Sequence, residues 1–269
     1  MTAVADSRVA ESLLAFWAEA GVDVCYEEAP VDRTLRPVAA ARPVAQTPPR
    51  AAAPAAAALA PDVSAAVAEA RALAAGAADL DALAAAIAAF EGCALKSQGA
   101  RQAVFSRGRP DADLMVIGEG PGAEEDLQGA PFVGRAGKLL DLMLQAAGLH
   151  ERVFVTNTVF WRPPGNRTPS PTEQAVCAPF LHRAIELVRP RALLLAGGAA
   201  AKCVLAKEEG ILSLRGRWFE WRSDDGQLVL PALPTLHPAF LLRQPAAKKK
   251  AWSDLLTLAE RLDRPDRPA

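Results

Sequence analysis

Apolar residues gather in blocks along this chain. Four runs are almost wholly apolar: Leu114–Ile117, Val153–Val159, Ala192–Ala196 and Leu228–Leu236. Short runs of Val, Leu and Ile without alternation predict strands buried on both faces. Between and after them, Gly137–Ala147, Pro171–Val188, Ala199–Leu205 and Lys248–Leu262 follow a helical pattern. Ser170-Pro171-Thr172-Glu173 is a helix start, with Ser at N-cap, Pro at N1 and Glu at N3. Strands alternating with helices predict an α/β fold of three layers, α/β/α, around a central, mostly parallel four-stranded sheet. Trp218 and Trp221 flank an antiparallel strand, with Asp224-Asp225-Gly226 as the turn of a hairpin.

The pattern changes upstream. Asp6–Ala20 carries Val9, Leu13, Leu14, Phe16 and Trp17 on one side of an amphipathic helix. Arg36–Pro61 is rich in Ala, Pro and Arg, cannot bury enough apolar area to order itself, and reads as a linker. Asp62–Phe90 is alanine-rich with Leu73, Leu80, Leu83, Ile87 and Phe90 near helical spacing, which predicts one or two helices broken at Gly76. The expected organisation is an N-terminal helical segment (1–35), a linker (36–61), a helical segment (62–91), a compact domain (92–263) and a tail (264–269).

Composition adds limits. The hydrophobic share of 51% is inflated by alanine, since aromatics make up only 6%. No apolar run is long enough to span a bilayer and no signal peptide is visible, so the expectation is a cytosolic protein. The four cysteines Cys25, Cys93, Cys177 and Cys203 are scattered, without close metal-ligand spacing. The net charge of −1 does not favour a polyanion partner, but its distribution is uneven. Residues 1–126 hold 10 basic and 18 acidic side chains, residues 127–269 hold 20 and 13, so a polyanion would be met by the later half.

The chemistry concentrates in Ile117–Gly137, a stretch with six glycines, two prolines, four acids and Phe132. Such a stretch suits backbone that bends sharply and approaches a ligand closely, at the strand end where open α/β sheets bind. A plain strand-to-helix connection is the alternative. Two more loops fall on the same edge of a parallel sheet. One runs from Thr156 to Pro169, and the other is Leu236-His237-Pro238-Ala239-Phe240-Leu241-Leu242-Arg243. Of three histidines, only His237 sits at a strand end beside a proline.

These residues resemble the uracil-DNA glycosylase superfamily, most closely its family-four branch. The matching pieces are Gly118-Glu119-Gly120-Pro121-Gly122, Gly129-Ala130-Pro131-Phe132-Val133-Gly134-Arg135-Ala136-Gly137, Asn157 with Arg162-Pro163-Pro164-Gly165-Asn166-Arg167-Thr168-Pro169, and His237-Pro238-Ala239-Phe240-Leu241-Leu242-Arg243. They occur in the family's order, across about Gly92 to Leu262. The resemblance implies a DNA repair enzyme that flips uracil out of DNA and hydrolyses its N-glycosidic bond, leaving an abasic site. Its partners are then uracil-containing DNA and downstream repair proteins, with no membrane and a monomeric chain. It further implies that Phe132 stacks on the base, that the Asn157 amide pairs with O4 and N3–H of uracil, and that His237 donates to O2 of the departing base. Gly118 and Gly120 line the base site, Leu241 wedges into the stack, and Arg167, Arg243 and Lys248–Lys250 are candidates for phosphate contacts. Glu119 is expected to position water or stabilise the sugar cation. Glu125 either shares that task or stands against the thymine methyl. A solvated acidic loop is the plain reading of both acids.

Two departures stand out. The family-one branch places an aspartate where this chain has Gly120. Family-four enzymes ligate a [4Fe–4S] cluster with four cysteines, and the matching positions here are Cys93, Lys96, Trp161 and Cys177. Thiolate ligation by two residues does not hold such a cluster, so the expectation is no cofactor, with Trp161 filling the space and Lys96 bridging to an acid. A non-catalytic binder of uracil-containing or abasic DNA is the main alternative. A nucleotide-binding enzyme using Gly118–Gly122 as a phosphate cradle is weaker, because no Gly-Lys-Ser/Thr follows.

Overall fold

A computed structural model of the protein describes residues 61–264. The helix expected over residues 6–20, the linker before residue 61 and Cys25 lie outside the described residues. Two alanine-rich helices come first, α1 (Pro61–Gly76) and α2 (Leu80–Ala89), followed by a single turn, α3 (Ala94–Ser97). Asp79 caps α2 by accepting from the Ala82 amide at 2.8 Å, so the break after Gly76 has a local cause. The order then runs β1 (Ser106–Gly108), β2 (Leu114–Gly118), α4 (Ala123–Gln128), α5 (Arg135–Ala146), β3 (Val153–Asn157), α6 (Pro171–Val188), β4 (Ala192–Ala196), α7 (Gly198–Leu205) and α8 (Ile211–Leu214). It closes with β5 (Phe219–Arg222), β6 (Val229–Thr235), α9 (Pro238–Arg243) and α10 (Lys248–Asp263).

The six strands among the described residues form one sheet in the order β1-β3-β2-β4-β6-β5. The four inner strands are parallel, and β1 and β5 pair antiparallel at the two edges. The expected four-stranded sheet is therefore the centre of a six-stranded one. The edge strand β5 follows from the Trp218–Trp221 pattern. The edge strand β1, Ser-Arg-Gly, has no apolar signature and was not expected from the sequence.

Alternate residues of the inner strands face opposite layers, as the two-residue period requires. Met115, Ile117, Leu193 and Leu195 join a core with Leu83, Ile87, Phe160, Trp161 and Phe180. Leu114, Val116, Leu194 and Leu233 join another with Leu140, Leu144, Leu255 and Leu258. Helices α1, α2, α6 and α7 thus cover one face, and α5 and α10 the other. The first core crosses residue 91 without a break, because Ala70 and Ala74 of α1 belong to it. Arg183 of α6 donates to the Ala77 carbonyl at 2.8 Å, fastening the end of α1. Among the described residues no helix is long and apolar enough to cross a membrane.

Candidate active site at the carboxyl edge of the sheet

The register pairs Gly118 with Asn157 and Ala196 with Thr235, so the inner strands end along one edge. There a cavity of about 500 Å³ opens, lined by the glycine-rich stretch, the Pro163–Pro169 loop and the start of α9. Glu119, Gly120, Glu125, Phe132, Asn157, Arg167, His237 and Arg243 all border it. Residues more than a hundred positions apart in sequence are brought to one hollow by the parallel topology alone.

Asn157 ends β3 and is 1% exposed, yet its carboxamide has no hydrogen-bond partner among the described residues. A buried amide is costly unless something satisfies it. Here Asn157 borders the cavity, where a ligand can meet its amide. Gly118 makes this arrangement possible. A Cβ there would lie 2.5 Å from two ring carbons of Phe132 and closer still to Asn157 Oδ1.

Phe132 lies between the cavity and the core, and its ring stacks on that of His237 with centroids 5.7 Å apart and planes inclined by 29°. Its backbone is left-handed, with φ of 55°. Glu125 also borders the cavity. One carboxylate oxygen accepts from Val133 N at 3.1 Å and Gly134 N at 2.9 Å, the other from Gly122 N at 3.1 Å. Glu125 thus joins the two halves of the glycine-rich stretch, which the sequence expected to be loop throughout and which contains the short helix α4.

His237 caps α9 by accepting the Ala239 amide proton at Nδ1, 3.1 Å away. An acceptor at Nδ1 leaves the proton of the neutral ring on Nε2. Burial lowers the His237 pKa to about 4, Arg243 adds to the effect and Glu125 opposes it. The ring is therefore a neutral donor at physiological pH. Arg243 borders the cavity and forms no hydrogen bond or salt bridge among the described residues. Gly197, at φ +100°, passes behind His237, and a Cβ there would lie 3.0 Å from His237 Cβ.

Glu119 borders the cavity with its carboxylate free of hydrogen bonds among the described residues. Its backbone is held, because Thr158 Oγ1 donates to the Glu119 carbonyl at 2.6 Å and Thr158 N to Gly118 O at 3.0 Å. Thr158 is a contributor that the motifs did not single out, although it directly follows Asn157. At Gly120 a Cβ would come within 2.8 Å of Val159 Cγ2. The stiff valine side chain excludes a larger residue, so the missing aspartate is a matched pair of features, a glycine facing a branched neighbour.

One expectation needs correction. Leu241 is 0% exposed, in a small core with Leu236 and Ala251, and cannot wedge into a base stack. Four residues after His237 the short helix has turned inward, and the exposed apolar side chain is its neighbour Leu242. Arg167 borders the cavity and already has a carboxylate partner. It forms a bidentate pair with Glu173, at 2.6 and 2.9 Å, which lowers the Glu173 pKa. Glu173 is also the N3 residue of the α6 capping box and accepts from Ser170 N at 2.7 Å. Arg167 therefore ties the second loop to α6. Lys248–Lys250 are exposed at the start of α10.

The residues at the cluster positions do not fit a cluster. Cys93 and Cys177 are buried with sulfurs 4.0 Å apart. Lys96 Nζ donates to Ala88 O at 2.7 Å, Phe90 O at 3.1 Å and Glu91 Oε1 at 2.6 Å. Trp161, 1% exposed, packs beside Phe90 and Phe160. An ammonium committed to three oxygens and an indole supply no ligand. Among the described residues no group of three or more His, Cys, Asp or Glu is placed to hold a metal ion. Cys203, half-buried in α7, has its thiol pKa raised to about 11 by burial.

Comparison with known proteins agrees with this geometry. The chain is 42% identical over 142 residues to a type-4 uracil-DNA glycosylase of Thermotoga maritima, covering 52% of this chain and 71% of that protein. Proteins of the same name from Saccharolobus solfataricus and Sulfurisphaera tokodaii are 38% and 37% identical over 168 and 164 residues. Those alignments cover 60% and 59% of this chain, and 77% and 74% of the relatives. Residues 105–256 match the sequence model of the uracil DNA glycosylase superfamily, a span holding Asn157, His237 and the glycine-rich stretch. With one cavity joining these motifs and more than half of the chain matching that family, the protein is a member of the uracil DNA glycosylase superfamily.

Proposed function

We propose that this protein is a monofunctional uracil-DNA glycosylase of base excision repair, which extrudes uracil from DNA, hydrolyses its N-glycosidic bond and leaves an abasic site. The observation that carries this reading is the Asn157 carboxamide, buried, unpartnered and bordering the cavity beside Phe132 and His237. Its Nδ2–H group donates to O4 of uracil and its Oδ1 accepts from N3–H. Cytosine presents the opposite pattern and is rejected, because the buried amide would then face a like group. Phe132 supplies the stacking face.

In the reaction, the bond between C1′ and N1 breaks and its electron pair leaves with the base, placing negative charge on O2. The Nε2–H of neutral His237 donates to that oxygen, which needs no general acid. The sugar becomes cation-like at C1′, and water attacks there, its oxygen bonding to C1′ and its proton passing through solvent to the uracil anion. Glu119, whose carboxylate has no competing donor, orients this water and stabilises the cation. Glu125 is occupied by three amides and serves the architecture of the site instead. Arg243 faces the phosphate flanking the flipped nucleotide, and Leu242 replaces Leu241 as the apolar group offered to the stack. The protein works without an iron–sulfur cluster, a reading supported by the side chains at Lys96 and Trp161.

The test is incubation with a uracil-containing oligonucleotide followed by alkali cleavage. Strand breaks are expected for the wild type, with losses of about 10²–10³ in rate for His237→Ala and a large loss for Asn157→Ala. No break at high enzyme excess, with binding retained, would replace this reading by that of a non-catalytic binder. An iron assay on anaerobically purified protein checks the cofactor, and four irons per chain would overturn that part.

A further inference from the structure

Two non-glycine residues of the cavity wall, Phe132 and Asn166, have a left-handed backbone, each at φ of 55°, and of these Phe132 carries the aromatic ring. A side chain with a Cβ rarely adopts that conformation unless its surroundings impose it. Two charged side chains flank it. Downstream, the Glu125 carboxylate takes the amides of Val133 and Gly134. Upstream, Arg107 reaches in from the edge strand β1. Its Nε donates to Pro131 O at 2.8 Å, and one terminal nitrogen approaches Phe132 O at 3.4 Å. The same nitrogen donates to Asp141 Oδ1 of α5 at 2.6 Å. Gly137, in the first turn of α5, lets the Phe132 carbonyl lie where any Cβ would overlap it.

From this we infer that Arg107, aimed by Asp141, is a positioning residue for the base-stacking platform. It touches neither the cavity nor the reacting atoms. It fixes the carbonyls of Pro131 and Phe132 while Glu125 fixes the following amides, so the ring is held in its stacking orientation before a base arrives. The guanidinium is suited to this because its planar fork reaches two carbonyls and a carboxylate together. A lysine keeps the charge near Asp141 and loses the fork. A platform set in advance spares the binding step the cost of ordering it.

This inference rests on the glycosylase reading, and the experiment separates the two. Single-turnover excision, inhibition by free uracil, and affinity for an abasic-site duplex are measured for wild type, Arg107→Lys, Asp141→Ala, Phe132→Gly and the Phe132→Gly/Arg107→Lys pair. Arg107→Lys is expected to slow excision about tenfold and to weaken inhibition by uracil by a similar factor. Abasic-site affinity stays within about twofold, because the platform has no base to hold there. In the Phe132→Gly background, with neither ring nor strained backbone, Arg107→Lys adds less than about twofold. Asp141→Ala gives a smaller loss of the same kind, and decides the matter if Arg107→Lys does not fold. Wild-type excision with unchanged rates in the variants would overturn the positioning role alone, as would a loss additive with that of Phe132→Gly or equal for abasic DNA. A wild type that excises no uracil would overturn the function and this role together.

Discussion

In the proposed reaction His237 donates to the departing base, and two features of the structure bear on its protonation state. Its Nδ1 accepts the Ala239 amide proton, and burial brings its pKa to about 4. A histidine of ordinary pKa near 6.5 would be roughly nine-tenths protonated at pH 5.5. At a pKa of about 4 only a few per cent carries the second proton. The displacement corresponds to roughly 3 kcal/mol of discrimination against the imidazolium. The unfolded chain takes up a proton more readily than the folded one. The corresponding stability is therefore complete above pH 6.5 and is lost as pH falls from there through about 4. Long-range ¹H–¹⁵N spectra give the tautomer and titration of each imidazole directly, and only three histidines need assignment, with His237→Gln identifying the signal. The expected result is an Nε2–H ring without inflection near pH 6.5, and an excision rate likewise level through that pH. Arg243→Gln should raise the midpoint, since it removes a like charge. A midpoint near 6.5, or a proton on Nδ1, would refute both the burial argument and the donor role.

Four further variants test the packing and the site. Gly118→Ala places a methyl within 2.5 Å of the Phe132 ring and against Asn157, so single-turnover excision should fall by about 10² or more while far-ultraviolet circular dichroism stays native. Trp161→Ala removes a fully buried indole and should cost about 3–5 kcal/mol by denaturant titration; a cost under about 1 kcal/mol would mean that the indole does not fill the space. Leu241→Ala should destabilise the protein by about 2–5 kcal/mol, as for other core leucines. Leu242→Ala should leave the melting temperature unchanged and weaken excision from duplex more than from single-stranded DNA. The reverse pattern would restore Leu241 as the wedge.

Much of this protein is written locally. The four inner strands announce themselves because a strand covered on both faces must be apolar throughout, and α6 because Ser170, Pro171 and Glu173 satisfy its first amides. The motifs around Asn157 and His237 could be read because they stand in the order of those of the family the chain resembles. Tertiary structure decided what depends on partners distant in sequence. The edge strand β1 exists only because β3 offers it a ladder. Leu241 and Leu242 are indistinguishable in sequence, and only the turn of α9 determines which one the core takes. Arg167 and Arg107 look like surface cations until Glu173 and the Phe132 loop fold against them. The glycine-rich stretch looked like a flexible loop and is a braced one, because three backbone amides that no local pattern could pair converge on the carboxylate of Glu125.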